Sequence, residues 1–402
     1  MSSIKIGMLL DNTFADDIRV TNEAFALANA GFQVIVYCFA KKEYYPHKNI
    51  HVVPVGISNY FKNKFRPLVN SFPLYFWIWR FKLNRFLREF QIDVLHIHDL
   101  YLAVPVIKCK SAKELHLVLD LHENYPAAVM NYKWSKSFFK LLIRAEQWKK
   151  KEKLLLKSSD SVVVLSNHYK NYLAQKYDID PSHFFVYPNV PDVNRLLSYK
   201  IDENIFEKGD LYVILYFGVI AERRGLKVII ESIPLLKKLI PNFTFLLIGP
   251  IDNSDKDYFN RSLNLEEIKN HVKYVGYQDI AKLPSWINKS DVCISPIHKS
   301  EQHDIGVANK VFQYMLFEKP VIVSDSLAQK ELVEKEKCGL VFEYDSPDDL
   351  AEKIYSLYTN SDISKQFSIN GKNAVLSKYN LIENSKSLVD LYKNVESSIE
   401  QR

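Results

Sequence analysis

The sequence predicts an α/β protein in two halves, each built on a parallel sheet with helices on both faces. Three observations lead there. The chain has 402 residues, beyond the ~250–300 at which a single hydrophobic core stops growing. Short apolar runs alternate with segments of helical periodicity along most of its length, the pattern of parallel strands joined by crossover helices. A polar, weakly patterned stretch from 188 to 210 interrupts that alternation and is the expected linker.

In the first half, IKIGMLL (4–10) reads as a buried strand, and Val20, Ala24, Leu27 and Ala28 mark one face of the helix that follows. Gly31 stands where that helix should stop. Further strands are expected at 33–39, 93–97, 115–121 and 161–165. In the second half, strands are expected at 211–217, 243–249, 272–276, 291–295, 320–324 and 339–342. Pro234 falls inside a helical stretch, which it should kink or end. The last 25 or so residues, with Leu388, Val389, Leu391 and Tyr392, read as an amphipathic helix.

The composition, 47% hydrophobic and 25% charged, is that of a globular protein. No run approaches the ~18 uncharged apolar residues of a membrane span. The opening MSSIKIGMLL lacks the basic-then-apolar layout of a secretory signal, so a cytoplasmic location is expected. Cys38, Cys109, Cys293 and Cys338 have no metal-ligand spacing and read as reduced core residues.

The net charge of +6 is unevenly spread. Residues 60–88 carry seven Lys or Arg and no acid, and residues 133–157 carry nine against Glu146 and Glu152. Within FPLYFWIWRFKLNRFLR (72–88), Trp77 and Trp79 either fill the core or, with the flanking cations, dock on an anionic membrane surface. No nucleic-acid recognition module is visible, and no nucleic-acid partner is expected.

Ligands of open parallel sheets bind beyond the carboxyl ends of the strands. YFGVIAERRG (216–225) leaves a strand through Gly218 and enters a helix at Gly225, with Arg223 and Arg224 on the same turn. A glycine turn and a helix start suit a phosphate; the bland alternative is a turn with a solvated arginine pair. In GVANKVFQYM (306–315), Asn309 is a candidate N-cap and Lys310 lies in the first helical turn. A cation there opposes the helix dipole, so it either meets an anion or swings into water. HIHD (96–99) and LDLHEN (119–124) bring His98, Asp99, His122 and Glu123 to strand ends. His96 is expected on another face, outside the site. Without an HxxxH or HExxH pattern, no metal site is expected.

Together these motifs resemble the family 4 glycosyltransferases of GT-B fold. DIRVTNEAFALANAGFQVIVY (17–37) is similar to the family's opening segment, with Arg19 after the first strand. VLDLHENYP (118–126) resembles the segment ending in the family's active-site histidine, here His122. YPNVPD (187–192) resembles the domain junction, YFGVIAERRGL (216–226) the donor loop, and NKVFQYMLFEKPVIVSD (309–325) the donor helix and its following strand.

The resemblance implies two Rossmann-like domains facing each other across a cleft. An acceptor domain would span 1–190 and a nucleotide-sugar domain 209–378, with the helix of 379–402 crossing back onto the first. It implies a retaining transferase with no cofactor and no metal, using a nucleotide-diphospho-sugar and a glycan or lipid-linked acceptor, in cell-surface polysaccharide synthesis. His122, Arg224 and Lys310 would be catalytic. Gly218, Arg223, Gly225, Asp304, Asn309 and Gln313 would bind the donor, and Arg19, Asp99 and Glu123 would lie on the acceptor side. In such relatives the leaving phosphate takes the acceptor's proton. The chain departs from the pattern at Val219, where many members have Arg. It departs again at Ile305 and Gln313, where the family has paired glutamates. These departures motivate the alternative of a catalytically silent GT-B subunit that binds a sugar nucleotide or a partner. A nicotinamide oxidoreductase is excluded by DNTFADD (11–17), which is not a glycine-rich loop.

Overall fold

The computed structural model describes residues 4–57, 73–112, 114–131 and 145–401. Parts of both basic blocks, 60–72 and 133–144, lie outside the described residues. The chain divides into two compact units, Met1–Pro188 with Asn384–Arg402, and Asn189–Glu383.

The first unit holds strands β1 (Lys5–Leu9), β2 (Gln33–Cys38), β3 (Tyr44–His47), β4 (Ile50–Pro54), β5 (Val94–His98), β6 (His116–Asp120), β7 (Ser161–Val164) and β8 (Phe184–Val186), in the order β3-β4-β2-β1-β5-β6-β7-β8. Every pairing is parallel except β3 with β4. That edge was not predicted. The short loop between β3 and β4 permits only an antiparallel return, and Pro46, which has no N–H to give a ladder, is tolerated at a sheet edge. Helix α1 (Ile18–Asn29) follows β1; its N-cap Asp17 accepts from the Val20 N–H, and Val20, Ala24, Leu27 and Ala28 are buried against the sheet. Helices α2 (Pro73–Phe90) and α3 (Ala145–Ser158) belong to the same unit.

The second unit holds β9 (Tyr212–Phe217), β10 (Phe243–Ile248), β11 (Val272–Gly276), β12 (Val292–Ser295), β13 (Val321–Ser324) and β14 (Gly339–Phe342) in the order β11-β10-β9-β12-β13-β14, all parallel. Alternate residues of β9 enter different cores, Val213 and Leu215 on one face, Ile214 and Tyr216 on the other. A strand covered on both faces reads as a continuous apolar run, which is why the inner strands β9, β10, β12 and β13 were legible; the edge strands β11 and β14 are only partly buried. Helices α4 (Leu226–Leu236), α5 (Asn309–Leu316) and α6 (Leu327–Glu336) follow β9, β12 and β13. Pro234 lies inside α4, which ends two residues later.

The final helix, α7 (Leu381–Glu400), buries Leu388, Leu391, Tyr392 and Val395 in the first unit's core, among β1 and β2 residues. All four cysteines are buried and unpaired.

Candidate active site

Each sheet has a switch point where successive strands depart to opposite sides, at β1/β5 in the first unit and β9/β12 in the second. Such points open a crevice beyond the strand ends, and the predicted site residues gather at both.

In the second unit the chain leaves β9 through Gly218 (φ 142°), whose N–H donates to Ile248 O at 2.8 Å. Gly225 (φ 86°) precedes α4, and a Cβ there would lie 2.0 Å from Pro296 O, so only glycine fits. Arg223 and Arg224 lie on the turn between them. Arg223 points outward to Asp252 at 3.7 Å. Arg224 is half-buried and, among the described residues, has no carboxylate partner; burial pulls its pKa down.

Helix α5 is docked on the end of β9, where the Phe217 N–H donates to the Tyr314 hydroxyl at 2.8 Å. Its N-cap is Ala308, so Asn309 is not the cap but the first helical residue, and its Oδ1 is buried without a hydrogen bond. Lys310 is next. Its Nζ is buried, has no hydrogen-bond partner, and sits 3.5 Å from the centroid of the Tyr216 ring. A Cβ on Gly218 would stand 3.6 Å from that Nζ. Burial, with Arg224 adding repulsion, holds the Lys310 pKa well below the usual ammonium value. Lys310 therefore does not swing into water. Charging a buried amine that has only an aromatic ring against it is expensive, and a helix start beside a glycine turn is a place where an anion would relieve that cost.

The other donor-side residues have mixed placements. Gln313 is half-buried one turn into α5. Asp304 caps α6, its Oδ1 accepting from Ser326 Oγ and the Leu327 N–H, each at 2.9 Å. Ile305 is buried.

In the first unit, His122 follows β6, and its Nε2 lies 3.0 Å from Asp120 Oδ2 and 3.2 Å from His98 Nδ1. Asp99 directly follows β5 with a backbone at φ 74°, ψ 137°, and its carboxylate lies 4.0 Å from His122 Nδ1. Glu123 is half-buried beside His122. Arg19 differs from expectation. Its guanidinium is spent on Asp120 (Nη2 to Oδ1 2.9 Å, Nε to Oδ2 3.3 Å), on Tyr187 O at 3.0 Å and on Glu23 at 3.1 Å. It supports Asp120 from inside and does not present its charge to an acceptor.

Sequence reasoning passed over Glu23, Asp120 and Tyr392, and it placed His96 on another face, outside the site, where the structure instead sets it against His98 and Asp120. His96 is fully buried, stacks on His98 with ring centroids 4.3 Å apart, and its Nδ1 lies 2.8 Å from the Tyr392 hydroxyl of α7. Two signals were available. Residues i and i+2 of a strand share a face, which groups His96 with His98, and residues i and i+4 of a helix are neighbours, which groups Arg19 with Glu23. Glu23, His96, His98 and Asp120 bring one ligand atom each within 4.8 Å of one another. Both Asp120 oxygens and Glu23 Oε1 face Arg19.

Two family profiles match in series. The one described as Glycosyltransferase Family 4 matches residues 18–195, and Glycosyl transferases group 1 matches residues 198–374. Two uncharacterized glycosyltransferases of Methanocaldococcus jannaschii are similar, one 22% identical over 245 residues and 60% of each chain, the other 24% identical over 362 residues and 88% of each. The chain thus spans three fifths of the length of the first relative and most of the second. Among solved structures, sucrose-phosphate synthase from Thermosynechococcus elongatus has a TM-score of 0.77 at 16% identity, over 98% of this chain and 100% of that one. The Anabaena protein HepE in complex with UDP-glucose has a TM-score of 0.67 at 14% identity, over 97% and 100%. The parallel sheets of both units, the glycine turn beside Lys310 and these paired matches identify the chain as a member of the family 4 glycosyltransferases, of GT-B fold.

Proposed function

We propose that the chain is a retaining, metal-independent transferase that moves a sugar from a nucleotide-diphospho-sugar to a glycan or lipid-linked acceptor, in cell-surface polysaccharide synthesis. The observation that carries this reading is Lys310, whose buried Nζ has no hydrogen-bond partner among the described residues and lies over the Tyr216 ring beside Gly218 at the start of α5. With the unpaired Arg224 it forms a cationic seat for a diphosphate. The fold it shares with HepE, whose structure holds UDP-glucose, agrees with such a seat.

In the reaction the bond from the anomeric carbon to the diphosphate oxygen breaks, and a bond to an acceptor hydroxyl oxygen forms on the same face. The acceptor's proton passes to the departing phosphate. Negative charge grows on that phosphate only as the bond breaks, so preorganised cations lower the barrier rather than merely binding substrate. Lys310 and Arg224 take this role, with Arg223 at the rim. In the first unit, His122 donates a hydrogen bond to a substrate oxygen, and Asp99 and Glu123 flank it.

Thermal melts of the full chain with UDP-, GDP-, ADP- and CMP-sugars in EDTA test the donor. A ligand at 100 times its dissociation constant stabilises by about 2.7 kcal/mol, and Lys310→Met should abolish that gain. If no nucleotide sugar stabilises the chain, with EDTA or with Mg2+, the donor reading falls; stabilisation only with Mg2+ overturns metal independence.

A second reading concerns location. No described helix is long and apolar enough to cross a membrane. Along α2, however, Trp79 is buried while Trp77 and Phe81, one turn apart, are 64% and 67% exposed among Arg80, Lys82 and Arg85. A basic helix that presents aromatics outward suits peripheral contact with anionic lipid at the cytoplasmic face. Co-sedimentation with vesicles of phosphatidylglycerol tests this, and Trp77→Ser/Phe81→Ser should abolish it. Equal binding by that variant would refute the contact.

A further inference from the structure

The two ring nitrogens of His122 face different neighbours, and their arrangement says what the ring can do. This step rests on His122 working at the site, as proposed above. Nε2 is 3.0 Å from Asp120 Oδ2 and 3.2 Å from His98 Nδ1. Nδ1 faces Asp99 at 4.0 Å. A carboxylate on each side of one imidazole favours a proton on each nitrogen. Asp120 is held in place by Arg19 at both oxygens, and Arg19 in turn by Tyr187 O. Glu23, one turn along α1, closes on Arg19 at 3.1 Å. Behind them His96 stacks on His98 and is held by Tyr392 of α7. Asp99 occupies a backbone conformation, φ 74° and ψ 137°, that non-glycine residues rarely adopt. Such strain persists where the surroundings dictate it, and here it sets a carboxylate against the outer nitrogen of His122.

We propose that His122 acts as an imidazolium that donates from Nδ1 to a substrate oxygen, never as a base, and that Asp120 is the positioning residue that fixes this state. The groups facing the ring are Asp120 from β6, His98 and Asp99 at the end of β5, and Arg19 and Glu23 from α1, with Tyr392 of α7 behind His96. Burial lowers the His122 pKa, but Asp120 and then Asp99 outweigh it and lift it to about 9. Burial drives His96 and His98 the other way, so these two stay neutral and pass on orientation only. With no lone pair at neutral pH, His122 leaves the acceptor's proton to the departing phosphate, while the bond to the diphosphate breaks and the bond to the acceptor forms.

The test is NMR of the full chain carrying 15N,13C-histidine, with the His122 resonance identified by its loss in His122→Gln. A doubly protonated ring at pH 7 with a midpoint near 9 is expected. Asp120→Asn should lower the midpoint by about two units or more, and shift the basic limb of the activity–pH profile with it. Should Asp120→Asn fail to fold, Asp99→Asn, at the more open end of the ring, should lower the midpoint by about one unit. A neutral His122 at pH 7 in the unaltered chain overturns the proposal, as does a midpoint that neither variant moves. Full turnover by His122→Gln would instead remove His122 from the reaction, an outcome distinct from a neutral ring in an otherwise His122-dependent enzyme.

Discussion

At the carboxyl end of the second unit's sheet, Lys310 and Arg224 have no carboxylate partner among the described residues, whereas at the corresponding end of the first unit's sheet Arg19 is paired with Asp120 and Glu23 and also bonded to a carbonyl. Both places are rich in buried charge, and the charge does different things. In the second unit burial disfavours the charge on Lys310, only the Tyr216 ring faces its Nζ among the described residues, and the proposed donor diphosphate would supply the complement. In the first unit the complement is internal, and what remains adjustable is the protonation of one half-open imidazole. Compensation within the fold suits a support, and its absence suits the proposed binding seat.

Breaking the compensated cluster should give the largest change in stability. Asp120→Ala leaves the Arg19 guanidinium and the His122 ring without their main partner. Removing one member of a buried ion pair costs about 3–5 kcal/mol, and each kcal/mol moves the melting temperature by roughly 2–4 °C in units of this size. Chemical denaturation measures it. A loss under about 1 kcal/mol would mean that the cluster is more hydrated than its burial indicates.

The uncompensated site should respond with opposite signs in two assays. Arg224→Ala, or Lys310→Met, should lower turnover about 10²-fold or more, the scale of one preorganised charge-stabilising donor. The ligand-free chain should lose nothing, and Lys310→Met should gain stability, because the burial that lowers the Lys310 pKa costs more than the contact with the Tyr216 ring returns. A ligand-free Lys310→Met chain that melts lower would mean that Lys310 is already neutralised within the fold, and the contrast between the two units would dissolve.

A pH titration separates the regions more gently. The folded-state pKa of His122 is raised to about 9. Its contribution to stability is therefore fully present below the ordinary imidazole value near ~6.5, and is lost as pH climbs through about 9. In His122→Gln that part of the decline should vanish. Asp120 is shifted downward: burial opposes ionisation, but Arg19 and His122 outweigh it. Its contribution holds above the usual carboxylate range and fades only in stronger acid. A decline between pH 7 and 9 that is equal in both proteins would remove His122 as its source.

The two regions also differed in how far the sequence revealed them. The second unit's four inner strands are apolar runs buried on both faces, its edge strands β11 and β14 are only partly buried, and its site residues lie chiefly in two short local motifs, Gly218–Gly225 and Asn309–Gln313. A glycine turn, a helix start and nearby cations can be read one segment at a time. What could not be read was burial, which decided whether Lys310 faced water or sat over Tyr216. The first unit's cluster draws on residues 19, 23, 96, 98, 120, 122 and 392. Only the β1-β5-β6 neighbourhood and the return of α7 bring them together. Three strands of the first unit were missed: β4 (Ile50–Pro54) is an apolar run that was simply not read, and the other two have a different cause. β3 carries Pro46 and few apolar residues, and β8 has three residues, too few for alternation to show.

The smallest predicted effect concerns the backbone of Asp99. In an ordinary extended or helical position, glycine is less stable than alanine by roughly 0.5–1 kcal/mol, because it loses more freedom on folding. At φ 74° and ψ 137° the order should reverse, with Asp99→Gly more stable than Asp99→Ala by about 1 kcal/mol, since only the alanine keeps the strain. Both variants remove the carboxylate, so both should lower the His122 midpoint alike. If the usual order holds instead, the conformation at Asp99 relaxes without its side chain. Asp99 would then be drawn into place by His122, and the strain would be a consequence of the ion pair rather than the means of setting it.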